Sequence, residues 1–140
     1  MGTYQINEGA FELPDGWPDQ TVNIFSTSRE APAEFSLVIS RDEEQEGEGL
    51  RDYVARQHKA LYEQLPRLRM LRRGDVVLDG RPALDVEFTW ESDAGLMRQR
   101  QVYVAHDGTI LTLTATAREA LYAKYEAALD DIAASFKFRR

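Results

Sequence analysis

The stretch Val76-Val77-Leu78-Asp79-Gly80-Arg81-Pro82-Ala83-Leu84-Asp85-Val86-Glu87-Phe88-Thr89-Trp90 decides the fold class. Its second half alternates, with Leu84, Val86, Phe88 and Trp90 on one side, the period of a strand whose successive side chains point to opposite faces. Asp79-Gly80-Arg81-Pro82 has turn chemistry, so residues 76–78 and 83–90 are the two arms of a hairpin. A connection this short cannot hold the crossover that a parallel pair requires, and the sheet is expected to be antiparallel.

The same pattern continues downstream. Residues 91–95 turn the chain, and residues 97–105 form a strand with Val102 and Val104 on one face and Gln99, Gln101 and Tyr103 on the other. His106-Asp107-Gly108-Thr109 is another turn. Residues 110–116 close the sheet, with Leu111 and Leu113 opposite Ile110, Thr112 and Thr114. Upstream, Leu50, Tyr53, Val54, Gln57, Leu61 and Leu65 recur at three- and four-residue spacings until Pro66, a helix of about four turns. Gln57 is the polar member of that stripe, and its ordinary reading is a partly exposed boundary residue. A terminal helix over residues 118–136 carries Leu121, Tyr125, Ala128, Leu129, Ile132 and Phe136 on one stripe and is expected to pack on the sheet.

Ahead of the first helix, Tyr4, Ile6, Phe11 and Leu13 alternate with polar residues and predict a short strand or two. Pro14-Asp15-Gly16-Trp17-Pro18 then turns the chain. Thr21-Val22-Asn23-Ile24-Phe25-Ser26 and Phe35-Ser36-Leu37-Val38-Ile39-Ser40 read as hairpin partners across a turn at residues 29–33. The whole is α+β: an antiparallel meander flanked by two main helices, in a single domain spanning residues 1–140.

Neither face of these two early strands is wholly polar. Phe35, Leu37 and Ile39 form one face, assigned to the core, and Ser36, Val38 and Ser40 the other; Val22 and Ile24 share a face opposite Asn23 and Phe25. A surface of Val22, Ile24, Val38 and two small serines is apolar without being bulky, as a shallow binding groove is. A dimer interface, or a surface covered by the protein's own helix, would read the same way.

Composition narrows the function. Of 140 residues, 43% are hydrophobic and 29% charged, ordinary globular usage. A net charge of −7 repels phosphate backbones and anionic membranes, so no nucleic-acid partner is expected. Asp42, Glu43, Glu44, Glu46 and Glu48 read as a solvated loop and lack the spacing of a calcium loop. There is no cysteine, which excludes disulfides and thiolate chemistry and fits a reducing, cytoplasmic setting. Residues 1–13 show neither a positive n-region nor a continuous apolar h-region, so no export signal is expected. No apolar run approaches the roughly 20 residues of a membrane span, and the protein is not expected to be membrane-embedded.

Catalytic chemistry has little support. His58 and His106 have no ligand partners at useful spacing, no nucleophile elbow is present, and the glycines fall in turns. Asp85 and Glu87 project together from the face opposite Leu84 and Val86. A hydrolase could use such a pair, but a solvated sheet face, or an edge ion-paired with Arg98 or Arg100, is the ordinary reading. No catalytic residue, cofactor or metal is expected.

Taken in order, Tyr4, Leu13-Pro14-Asp15-Gly16-Trp17, Asp19-Gln20-Thr21-Val22-Asn23-Ile24-Phe25, Phe35-Ser36-Leu37-Val38-Ile39-Ser40-Arg41-Asp42, Asp52-Tyr53-Val54-Ala55-Arg56-Gln57 and Arg100-Gln101-Val102-Tyr103 resemble the DcrB-like family. That family's fold is related to PsbP, an α/β/α sandwich. More narrowly the chain resembles the Eag chaperones of bacterial type VI secretion. The resemblance implies a cytoplasmic homodimer without cofactor that shields N-terminal transmembrane helices of a secreted effector and promotes loading of that effector onto the secretion spike. The positions matching the client-holding surface are Val22, Ile24, Ser36, Val38, Ser40, Gln57 and Gln101, to which face geometry adds Leu61 and Tyr103. Physics agrees: a lipid-destined helix needs apolar area, worth roughly 25 cal/mol per Å². Small serines allow close backbone approach, and glutamines can bond polar groups on the client. Two other readings predict different partners: a DcrB- or PsbP-like accessory protein docking on a folded partner, and a module binding a lipid or small molecule.

Overall fold

The computed structural model describes residues 2–17, 20–29 and 33–139. Pro18 of the first expected turn, Asp19 of the family motif and residues 30–32 of the second turn lie outside the described residues. Element order is β1 (Gly2–Ile6), β2 (Gly9–Leu13), β3 (Asn23–Ser26), β4 (Phe35–Glu43), α1 (Leu50–Gln64), β5 (Arg69–Leu78), β6 (Arg81–Ser92), β7 (Gly95–His106), β8 (Thr109–Arg118) and α2 (Glu119–Ser135). β1 and β2 pair as a separate ribbon, and the other six strands form one antiparallel sheet in the order β3-β4-β8-β7-β6-β5.

Local chemistry places the hairpins. Asp79 and Gly80 have φ of 46° and 79°, and Asp107 and Gly108 have 50° and 77°. Two successive positive φ values make the primed turn whose twist matches a right-handed ladder, and Asp-Gly tolerates that conformation best. The expected hairpin thus forms, with β5 starting at Arg69, earlier than its apolar pattern showed. Its first half reads Arg69-Met70-Leu71-Arg72-Arg73, and a register shift between Met70 and Arg72 breaks the alternation.

The expectation that residues 110–116 close the sheet is corrected: β8 is interior, pairing with β7 on one side and β4 on the other. A central strand is what threonine and alanine alternation with leucine suits, because both its faces meet neighbours.

One helix covers part of each face. α1 sets Tyr53 and Val54 against Leu84, Val86, Phe88, Tyr103 and Ile110, with Leu61 and Leu65 at the margin. Leu65 is extended, as the residue before Pro66 must be, and the helix ends there. α2 packs on the opposite face against Leu37, Val102, Val104, Leu113, Ala115 and Ala117. Burying each large side chain contributes about 1.5–3 kcal/mol.

The stripe expected on α2 is corrected. Tyr122 and Leu129 are its buried residues, Tyr125 stacks on Phe35 at 5.1 Å, and Ala128 and Ile132 face outward. A polar contact accompanies that rotation. The Tyr122 hydroxyl donates to Glu87 at 2.7 Å, and the Arg98 guanidinium lies 4.5 Å from its ring. Hydrophobic periodicity could not report this attraction.

Candidate functional site

Cross-strand register assembles the site. Residues opposite one another in an antiparallel ladder share a face, and three rows therefore run across the sheet. Ile24 faces Val38, Val38 faces Thr114, and Thr114 faces Gln101. Ser36 faces Thr116, which faces Gln99, and Ser40 faces Thr112, which faces Tyr103. α1 covers this face over β6, β7 and the end of β8 at residues 110–112, and leaves β3, the first half of β4 and residues 114–116 of β8 open. Val22 and Ile24 are 50% and 70% exposed, and Ser36, Val38, Ser40, Thr114 and Thr116 are half-buried.

The α1 edge forms one wall. The Tyr53 hydroxyl donates to Asp42 of β4 at 3.1 Å, whereas Arg51 pairs with Asp75 of β5. Gln57 and Leu61 lie one and two turns beyond Tyr53, both half-buried, and Leu61 packs against the core beneath the helix. Burial and the Asp42 bond push the Tyr53 hydroxyl up to about 12, so it stays a donor at physiological pH.

Register thus brings Ile24, Ser36, Val38, Ser40, Gln101 and Tyr103 to one face of the sheet, while Val22 precedes β3 and borders the cleft at the end of β4, and Gln57 and Leu61 lie half-buried on α1. Two of them are floor rather than rim: Gln101 is 8% exposed and Tyr103 2%. Sequence reasoning missed Gln99, Thr114 and Thr116 as parts of that floor. The signal was present as alternate threonines opposite Leu111 and Leu113, but only register places them beside Val38 and Gln101.

A polar chain runs along the floor. The Tyr103 hydroxyl donates to Gln101 Oε1, Gln101 Nε2 donates to Gln99 Oε1 at 3.1 Å, and Gln99 Nε2 donates to Thr116 Oγ1 at 2.9 Å. The three central rows carry no formal charge. Charge begins at the end of β4, where Gln20, Val22, Arg41 and the acidic run from Asp42 to Glu46 border a cleft of about 660 Å³. An uncharged floor with apolar and small side chains suits an apolar occupant that carries occasional polar groups.

The acidic run is not wholly solvated, because Asp42 holds Tyr53 and Glu48 pairs with Arg56 at 2.9 Å. Nor do Asp85 and Glu87 form a solvated face. They are 1% and 5% exposed, beneath α2. Arg100 grips Asp85 with two bonds of 3.0 and 2.8 Å and reaches Asp130 of α2 at 2.6 Å. Arg98 holds Glu87 at 2.7 Å and Glu119 at 3.0 Å. Burial favours the neutral Glu87, but the bonds from Arg98 and Tyr122 outweigh it and lower the carboxyl below its ordinary range. Burial likewise opposes the charge on Arg100, and its bonds to Asp85 and Asp130 hold it firmly protonated. This is the ion-paired arrangement with Arg98 and Arg100, neutralised and capped by a helix.

Among the described residues no group of three or more His, Asp or Glu is placed to hold a metal, and no helix is long and apolar enough to cross a membrane. His58 is buried on the sheet-facing side of α1 with its ring 6.1 Å from Tyr103.

A six-stranded antiparallel sheet with one helix on each face, and half of one face open, defines an α+β protein of the PsbP-like fold. Its sequence matches the DcrB family over residues 8–135, and the chain belongs to that family. It is 36% identical over 117 residues to Effector EagT6 of Pseudomonas aeruginosa, an alignment covering 83% of this chain and 81% of that protein. The crystal structure of PA94, a Pseudomonas aeruginosa protein of unknown function, superimposes with a TM-score of 0.84 at 31% identity, covering 100% of this chain and 98% of that one. The solution structure of CyanoP, the PsbP of Synechocystis sp. PCC 6803, shares the fold with a TM-score of 0.60 at 12% identity, over 99% and 92% of the two chains.

Proposed function

We propose that this chain is an adaptor chaperone of type VI secretion: it holds and shields hydrophobic N-terminal transmembrane helices of a secreted effector in the cytoplasm and promotes loading of that effector onto the secretion spike. The observation that carries the reading is the open half-face, where Ile24 and Val38 stand over an uncharged floor of serine, threonine and glutamine and the exposed Val22 lies at its charged end. Kinship with Effector EagT6 supports an effector as the partner. The net charge of −7 keeps a protein with an exposed apolar patch soluble. A homodimer would set two such grooves side by side and hold a helix pair.

The test is co-expression with effector N-terminal fragments, followed by pull-down and size-exclusion chromatography. The fragments are expected to become soluble in a stable complex. Val22→Asp and Val38→Asp are expected to lose the complex, and Gln57→Ala and Gln101→Ala to weaken it, each variant keeping the wild-type circular dichroism. A wild-type protein that solubilises no transmembrane fragment would refute the reading.

A further inference from the structure

The polar chain on the groove floor has a direction, and its buried end sets it. Tyr103 is 2% exposed, and the bond its hydroxyl makes is to Gln101 Oε1. Were the chain reversed, with Gln101 Nε2 donating to Tyr103, the hydroxyl hydrogen would have no other acceptor within hydrogen-bond reach among the described residues. A buried orphan donor costs far more than a spare lone pair. With Tyr103 donating, each carboxamide is locked in turn: Gln101 turns Nε2 to Gln99, and Gln99 turns Nε2 to Thr116. The loose end falls at Thr116, half-buried beside Ser36 on the open side, where its hydroxyl hydrogen is left to solvent.

We infer that Tyr103 is a positioning residue that orients Gln101, Gln99 and Thr116 so that the groove selects occupants carrying oxygen acceptors over purely hydrocarbon ones. Among the described residues three hydrogens have no acceptor in this arrangement: the second on each Nε2, and that of Thr116. In the free protein they are left to solvent. An occupant that displaces solvent must supply hydroxyl oxygens, or backbone carbonyls laid bare by small side chains, each with a second lone pair to offer. A helix sheathed in leucine strands all three. The identity of the occupant rests on the chaperone reading; the direction of the chain does not.

Two measurements separate these claims. In ¹⁵N-labelled free protein, Tyr103→Phe is expected to shift the side-chain amide signals of Gln99, which does not bond Tyr103, and to speed their hydrogen exchange; unmoved Gln99 signals would overturn the relay. Capture then uses a soluble carrier fused behind a segment of about 20 residues, either Leu/Ala with Ser at every fourth position or all Leu. Wild type is expected to retain the serine segment better, and Tyr103→Phe to weaken that retention by about tenfold, the equivalent of one net hydrogen bond, while leaving all-Leu retention unchanged. Equal loss for both segments, or no loss, overturns the selectivity. If wild type holds neither segment the chaperone reading fails, and the amide spectra still decide the relay. Should Tyr103→Phe not fold, Thr116→Val cuts the chain at its exposed end and is expected to give the same Gln99 signature.

Discussion

Arg100→Met removes the cation that Asp85 was buried to meet. Asp85 is 1% exposed and takes two of its bonds, at 3.0 and 2.8 Å, from Arg100. Breaking a buried pair from one side costs about 3–5 kcal/mol, because the remaining charge has lost both water and partner. Arg72 stays at 3.3 Å and is half-exposed, so it recovers part of this loss. The expectation is therefore about 3 kcal/mol, at the low end of that range. For a domain of this size that lowers the melting temperature by about 10 °C. Asp130, 60% exposed at the other end of Arg100, is a control, and Asp130→Ala is expected to cost under about 1 kcal/mol. Urea unfolding read by circular dichroism gives each value. The decisive variant is the double substitution Asp85→Leu with Arg100→Met, which removes the stranded charge as well. It is expected to be more stable than Arg100→Met alone. Additive losses, or a single-variant cost below about 1 kcal/mol, would show that the cluster under α2 is hydrated and would refute the reasoning.

Two titrations should shape the acid limb in separate windows. Glu87 has its folded pKa below 4.5, so its contribution is complete above that value and fades as pH falls through the folded one; Glu87→Gln is expected to flatten stability against pH below about 4.5, at a cost of about 1–3 kcal/mol near neutrality. Burial first, then the Arg73 charge, depress His58 below 6.5, so the unfolded chain takes up the proton first on acidification. Stability is then complete above about pH 6.5 and falls below it, and denaturant midpoints of His58→Phe are expected to lose that decline.

Much of the fold was legible because the information was local. Period-two alternation in β6, β7 and β8, the Asp-Gly turns and the stripe of α1 each follow from neighbours a few residues apart, and they determined an antiparallel α+β fold with the faces of β3 and β4 correctly assigned. Pairing across long separations was not legible. That β8 lies between β7 and β4 is decided by which strands cover one another's edges and bury Leu113 and Ala115, an energy that exists only in the assembled sheet. The same holds for the site. Alternation places Val38, Thr114 and Gln101 each on a face of its own strand, and register alone makes them one row. Asp85 and Glu87 show the other limit: the residue types suggested a solvated face or an ion-paired edge, and compensation by Arg98, Arg100 and Arg72 allowed them to be buried instead. A charge enters a core only when its partners arrive with it. The sequence names the charges, and the tertiary structure decides which of them meet.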